Sequence, residues 1–310
     1  MRLKAVNAFR KRKFIFLTGL PRSGKTVTAN ILRGFFSNNT LHYNSTLEGY
    51  FALYKMGLLS CELLEYLSLY AMNDHINEFV KKRRININSA EESSPIWKEI
   101  EYKDLRQMRL SDSSHAVLMH SGLSVAKELD SIFDPILIIN VYTHPADIIY
   151  AWLNKGYGDL GFYQENKMTL TCICENNNVL PYYAKDFVEY FESAAPIDRV
   201  VKMVALLTRQ DQKGLLQVQK NKVLMFGLDF LVTKPEKYFD GIIKGISNFT
   251  DAQYDRISDR LGFEIAKDIA RKNHTARSRR EREIKSRLSV EGRLHYDELL
   301  DAWAEWDRYG

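Results

Sequence analysis

The chain has 310 residues, 45% of them apolar and 27% charged, the composition of an ordinary globular protein that buries a large core without staples. Its formal charge of +5 is concentrated in "RKRK" at 10–13 and "ARKNHTARSRREREIKSR" at 270–287, where it suits either a polyanion-binding patch or a solvated helix face. Three cysteines, Cys61, Cys172 and Cys174, make no even disulfide framework and no zinc spacing, which excludes a cysteine-stapled scaffold and favours a reducing compartment.

From the N-terminus, residues 1–12 form a basic arm without the apolar region and cleavage site of a signal peptide. No later stretch approaches the roughly 18 apolar residues of a membrane span, and a cytoplasmic protein is expected. "FIFLTG" (14–19) reads as a strand, "GLPRSGKT" (19–26) as a loop, and 26–36 as a helix with Val27, Ile31, Leu32 and Phe35 on its apolar face. "LEGYFALYKMGLLSCELLEYLSLYAM" reads as one or two further helices. "AVLMHS" (116–121) and "ILIINVYT" (136–143) are strands, and His115 before the first of them is placed in exposed loop. "PADIIYAWLNKG" is a helix opened by Pro145 and Asp147 and stopped at Gly156, with Tyr150, Trp152 and Tyr157 as core or pocket wall. "VLMFGLD" (223–229) is a fourth strand, and "TDAQYDRISDRLGF" a helix with Thr250 at its N-cap and Gln253 completing a capping box.

The four strands are nearly continuous apolar runs, the pattern of strands covered on both faces. Strand alternating with helix predicts an α/β, three-layer P-loop fold: a central parallel sheet of four to five strands wrapped by helices. No repeat or Pro/Gly/Ser-rich linker divides the chain, so a single domain over 1–310 is expected.

"GLPRSGKT" satisfies G-x-x-x-x-G-K-[ST] between a strand and a helix, the context this phosphate loop requires. Gly19 and Gly24 let backbone N–H groups turn inward on an anion, Lys25 supplies a point charge and Thr26 a hydroxyl. The loop alone does not distinguish a triphosphate from a phosphosulfate. An enzyme using ATP or GTP with magnesium needs a carboxylate at the end of a neighbouring strand. "ILIINVYTH" offers none before Asp147, inside the next helix, whereas "VLMFGLD" ends in Asp229, so a P-loop kinase stays open.

"LTGLPRSGKT" resembles the 5′-phosphosulfate loop of the sulfotransferases that use 3′-phosphoadenosine-5′-phosphosulfate (PAPS), where Pro-Lys/Arg-Ser-Gly-Thr-Thr is usual. "VLMHSGLSVAKELDSIFDPILIINVYTHPADIIYAWLN" (117–154) is similar to that family's central block, and "KVLMFGLDFLVTKPEKYFDGIIKGI" to its later strand and helix. The resemblance spans most of the chain in the right order. It implies PAPS as cofactor, held by Gly19, Pro21, Arg22, Ser23, Gly24, Lys25 and Thr26, with Arg22 and Lys25 stabilising the phosphosulfate. It implies His120 as the base that deprotonates a hydroxyl or amine acceptor, and no metal. Without the resemblance, His120 at the end of an apolar strand reads more readily as a buried, hydrogen-bonded core histidine.

The resemblance further implies that Thr143 and Asp147 lie along the cofactor, although the family has Arg and Ser where this chain has Thr143 and Ala151. The C-terminal Arg-Lys-Gly loop has only a faint echo in "SVEGRLHYDELL" (289–300), so Arg277 and Arg279 are expected to supply the missing contacts to the 3′-phosphate. Asp147 also suits a carboxylate that complements its own helix dipole. The departures leave room for a kinase, or for a binding module that has kept the fold without the chemistry. Segments 41–112 and 156–200 are expected to form the acceptor cleft above the sheet's C-terminal edge, open to a small-molecule, lipid or glycan acceptor. The basic segment lacks interleaved aromatics, and nucleic acid is not an expected partner.

Overall fold

Among the described residues five parallel strands form the central sheet: β1 (Lys13–Thr18), β2 (His42–Tyr43), β3 (Ser114–Leu118), β4 (Ile136–Tyr142) and β5 (Val223–Gly227), in the order β2-β3-β1-β4-β5. The computed structural model describes residues 12–32, 42–82, 114–164, 172–175, 178–250 and 260–307. Among these residues nine principal helices accompany the sheet: α1 (Lys25–Ile31), α2 (Ser45–Lys55), α3 (Cys61–Lys82), α4 (Ala126–Phe133), α5 (Pro145–Asn154), α6 (Pro196–Leu215), α7 (Pro235–Thr250), α8 (Arg260–Arg287) and α9 (Val290–Asp307). A short antiparallel hairpin, Cys172–Glu175 with Asn178–Pro181, stands apart.

Successive strand residues enter opposite cores, which is why both β1 and β4 are continuous apolar runs. Phe14, Phe16, Ile136 and Ile138 join Leu47, Phe51, Leu64, Leu129 and Phe133 under α2, α3 and α4. Ile15, Leu17, Leu137, Ile139 and Val141 join Ala29, Leu32, Ile242, Ile246 and Ala270 under α1, α7 and α8. The result is the expected three-layer α/β P-loop fold with a wholly parallel central sheet. A third core, centred on Trp152, Val200, Val204 and Leu299, joins α5, α6 and α9 past the end of β4.

The basic segment 270–287 is neither all patch nor all solvated face. It lies within α8, whose inner side docks on the sheet's C-terminal edge through buried charge. Arg277 donates to Asp147 Oδ2 at 2.9 Å and to Asp229 Oδ1 at 2.6 Å, and Arg280 donates to Asp147 Oδ1 at 2.6 Å. Arg280 also stacks on Tyr150, 4.7 Å from the ring centroid, and Glu281 reaches His144 Nε2 at 3.4 Å. Burial and then Arg277 push His144 down to about 4, so the ring that Glu281 approaches is neutral at pH 7.

Several expectations change. Thr250 is the last residue of α7 and donates its hydroxyl to Ile246 O at 2.8 Å; Gln253 and the rest of 251–259, where the expected helix would open, lie outside the described residues. Residues 290–300 form the first half of α9 rather than a cofactor loop. His115 belongs to β3, half-buried, with its ring 6.0 Å from Phe14 and its Nε2 bonded to Arg12. The basic arm at 1–11, residues 33–36 and the part of the cleft segment at 83–112 lie outside the described residues.

Removing one member of a buried ion-pair network strands its partners. Asp147→Asn is therefore expected to lower unfolding stability by about 3 kcal/mol, while Arg279→Ala, exposed on the same helix, changes it by no more than about 0.5 kcal/mol. Urea denaturation followed by circular dichroism measures both.

Candidate functional site

The phosphate loop leaves the end of β1 under steric control from its neighbours. A Cβ on Gly19 (φ +140°) would sit 2.1 Å from Val141 O, and one on Gly24 (φ +96°) 2.3 Å from Leu228 Cδ1, so only glycine fits at either point. Arg22 takes φ +67°, a left-handed conformation that costs a side-chain-bearing residue about 1–2 kcal/mol, and its side chain is exposed. Two hydrogen bonds brace the turn: Ser23 N–H to Leu20 O at 3.0 Å, and the buried Trp152 indole N–H to Pro21 O at 2.7 Å.

Lys25 is buried at the first position of α1 and donates its Nζ to Gly19 O at 2.8 Å and Leu20 O at 2.6 Å. Burial pushes its ammonium down to about 7; Glu48 and Asp211 oppose the shift and Arg22 adds to it. Thr26 is exposed, and the Ser23 hydroxyl is buried without a hydrogen-bond partner. Such a hydroxyl in a cradle of loop amides suits an anion's oxygen.

The segment after β3 is laced to this loop. Ser121 N–H donates to Gly19 O at 3.1 Å, and Gly122 N–H to Thr18 Oγ1 at 2.5 Å. His120, two residues past the strand end, is thereby held beside the loop. Its backbone N–H and its Nδ1 both meet Glu48 Oε2, at 3.0 and 3.1 Å. A carboxylate can only accept, so the ring proton sits on Nδ1 and Nε2 carries a lone pair. Burial, then Lys25, pushes the His120 ring below its usual value against the pull of Glu48, and the ring is neutral at pH 7.

Glu48 reaches His120 because of a two-residue strand. β2 pairs with the end of β3, Tyr43 opposite Leu118. Asn44 N–H then donates to Leu118 O at 3.1 Å, while Asn44 Oδ1 caps α2 by accepting from Leu47 N–H at 2.9 Å. One residue further on stands Glu48. The Tyr43 ring meets the His120 ring edge-on at 4.9 Å.

A cavity opens beside His120, walled by Phe51, Lys55, Ser124, Tyr182 and Leu207 among others. Lys55 donates to Ser124 Oγ and, at 3.4 Å, to Gln210 Oε1. Asp211, fully buried, accepts from Ser124 N–H at 2.9 Å through Oδ1 and has no partner for Oδ2. Burial pushes Asp211 up to about 7 and Lys55 down to about 8.

The structure thus brings together the residues 19–26 and His120 from those expected in the site. Thr143 is buried on a second cavity with Ser23, Trp303 and Trp306. Asp147 and Arg277 are engaged with one another, Asp229 is engaged by Arg277, and Arg279 is exposed on α8. Glu48, Lys55, Asp211 and the Trp152 brace were not anticipated as parts of the site. A charged Glu48 and Lys55 inside the apolar run of α2 were the available signal. Among the described residues no helix is long and apolar enough to cross a membrane.

No family model matches the chain, and no curated protein matches it in sequence. Solved structures similar to it include two sulfotransferase domains. One is the sulfotransferase domain from the curacin biosynthetic pathway, at 11% identity and a TM-score of 0.45, covering 80% of this chain and 76% of that one. The other is the sulfotransferase domain from the Synechococcus PCC 7002 olefin synthase, at 16% identity and a TM-score of 0.45, covering 95% of each. The fold assignment rests on the sheet order and the loop described above.

An anion placed at this loop would meet a field that changes with pH in a fixed direction. As pH rises through 7, Lys25 loses its proton and Asp211 gains a negative charge, and both changes disfavour an anion. Inorganic sulfate, whose charge is constant over the range, is expected to bind progressively more weakly from pH 6 to 9, approaching tenfold per pH unit at the upper end. Lys25→Met should bind weakly with a much flatter profile. Isothermal titration measures both.

Proposed function

We propose that the chain is a sulfotransferase that moves a sulfuryl group from PAPS to a hydroxyl or amine acceptor. The observation that carries the reading is a neutral His120 with its Nε2 lone pair fixed by Glu48, stitched beside a phosphate loop that bears Arg22 and Lys25. The unpartnered Ser23 hydroxyl and the Lys25 ammonium, resting on loop carbonyls, fit the 5′ end of the donor. Thr143, on the cavity that also reaches Ser23, is the candidate for a hydrogen bond further along the donor. Arg277 has its bonds in the clamp on Asp147 and Asp229, which leaves exposed Arg279 as the freer of the two expected cations.

The donor, when bound, would supply a sulfuryl group whose bond to the phosphate oxygen breaks as a new S–O bond to a hydroxyl acceptor, or S–N bond to an amine, forms. His120 Nε2 takes the acceptor's proton, and Glu48 stabilises the imidazolium that results. Arg22 and Lys25 offset the negative charge left on the phosphate oxygen. The cavity wall draws Glu48, Phe51 and Lys55 from one expected cleft segment and Tyr182 and Tyr183 from the other, in support of an acceptor cleft there within a single domain. The kinase reading loses support because Asp229, its magnesium carboxylate, is ion-paired to Arg277 at 2.6 Å.

His120→Ala is expected to lower turnover by roughly 10²- to 10⁴-fold while leaving affinity for 3′-phosphoadenosine 5′-phosphate unchanged. Glu48→Gln should lower kcat and move the acid limb of the pH profile to lower pH, because the carboxylate no longer supports the protonated ring. Titration of the desulfated cofactor against ATP and GTP with magnesium decides the donor class. Binding of a magnesium nucleotide in its place would establish a kinase, and binding of none of them a module without this chemistry.

A further inference from the structure

Lys55 is the last residue of α2, and its side chain forms part of the wall of the cavity that also contains His120. Its ammonium is held by two neutral acceptors, the Ser124 hydroxyl and the Gln210 amide oxygen. No carboxylate of the described residues lies within 4.0 Å of it, and one of its three N–H bonds has no acceptor among them. Asp211 spends one oxygen on the Ser124 backbone and acts on the lysine only from a distance, as do Glu128 and Glu48. A half-buried ammonium without a direct ion pair retains a demand for an anion.

The rest of the wall says what that anion is attached to. Phe51, Met119, Val125 and Leu207 make it apolar, and Tyr182 and Tyr183 add aromatic faces. A single ammonium in such surroundings matches a monoanion such as a carboxylate better than a phosphate. At another point of the wall stand His120 and Glu48, whose Oε1 is buried without a partner.

We propose that this cavity takes a hydroxylated aromatic carboxylate, its carboxylate paired with Lys55 and its hydroxyl presented to His120. The orientation rests on the reading of His120 as the base, whereas the pairing with Lys55 does not. A neutral phenol of the same shape fills the apolar part and leaves the ammonium unpaired, so the preference for the acid is the signature of the site.

The test is isothermal titration of the full chain with 4-hydroxyphenylacetate and with 4-methylphenol, in the wild type, Lys55→Met and Lys55→Arg. The wild type is expected to bind the acid at least tenfold more tightly than the phenol. Lys55→Met should lose that preference while keeping its affinity for 4-methylphenol, and Lys55→Arg should retain most of it. Thermal melts establish that each variant is folded, and the comparison of the two probes on the wild type stands without any variant. Equal affinity for the two, failure to bind either, or a preference that survives Lys55→Met overturns the proposal. Titration of the same samples with 3′-phosphoadenosine 5′-phosphate reads the donor loop separately. Uptake of that ligand beside a negative result for the acid removes the acceptor class alone, whereas its failure to bind removes the sulfotransferase reading.

Discussion

A lysine ammonium kept out of water at the mouth of β1 is the constraint around which the site is arranged. Among the described residues no carboxylate adjoins Lys25, which is almost wholly buried and rests on the carbonyls of Gly19 and Leu20. Glu48 and Asp211 stand near enough to pull against the effect of burial on its charge. Those carboxylates come from α2 and α6, on the face of the sheet opposite α1, so the electrostatics of the loop depend on elements that do not belong to it. The same field acts on His120, where Lys25 and Glu48 work in opposite directions. A neutral imidazole beside a lysine that is protonated below about pH 7 follows from that balance, the pattern that the proposed base catalysis next to an anion needs.

The second charge cluster has the opposite task. Asp147, Asp229, Arg277 and Arg280 satisfy one another almost completely, with Asp147 only 3% exposed at its side chain. They join the start of α5, the end of β5 and the middle of α8, elements that meet only at the C-terminal edge of the sheet. The clamp holds α5 in place, and α5 carries the Trp152 indole that braces Pro21. Buried ion pairs of this sort add little net stability but tolerate few alternative arrangements. The clamp therefore bears on the active loop by fixing its support rather than by touching an anion.

Legibility in the sequence followed how local each cause was. The apolar runs of β1, β3, β4 and β5 are set by burial on both faces, and the phosphate loop by a contiguous eight-residue pattern, so both were readable. The pattern at Thr250 was local too, but it did not reveal that Pro235 had begun α7 fifteen residues earlier and that Thr250 is the last residue of that helix. The charges of α8 could be counted but not divided, since which arginines turn inward depends on carboxylates some 50 and 130 positions away. Glu48 and Lys55 were hidden for a related reason. Their partners, His120 and Ser124, are about 70 residues distant, and no spacing rule connects them.

The two-residue strand β2 shows how little local structure such a long-range connection needs. Its pairing is too short to add much to the sheet, yet Asn44 uses its backbone N–H to extend the ladder to Leu118 and its side chain to open α2. A helix begun at that point places its fourth residue, Glu48, at the loop that follows β3, and its last, Lys55, seven residues or about two turns further along. The interval between them is close to a whole number of turns, so both lie on the same side of α2 and both reach one cavity. The carboxylate that orients the imidazole and the ammonium without an ion pair are thus positioned by a single capping residue. Moving the start of that helix by one residue would rotate both side chains by about 100° away from the cavity.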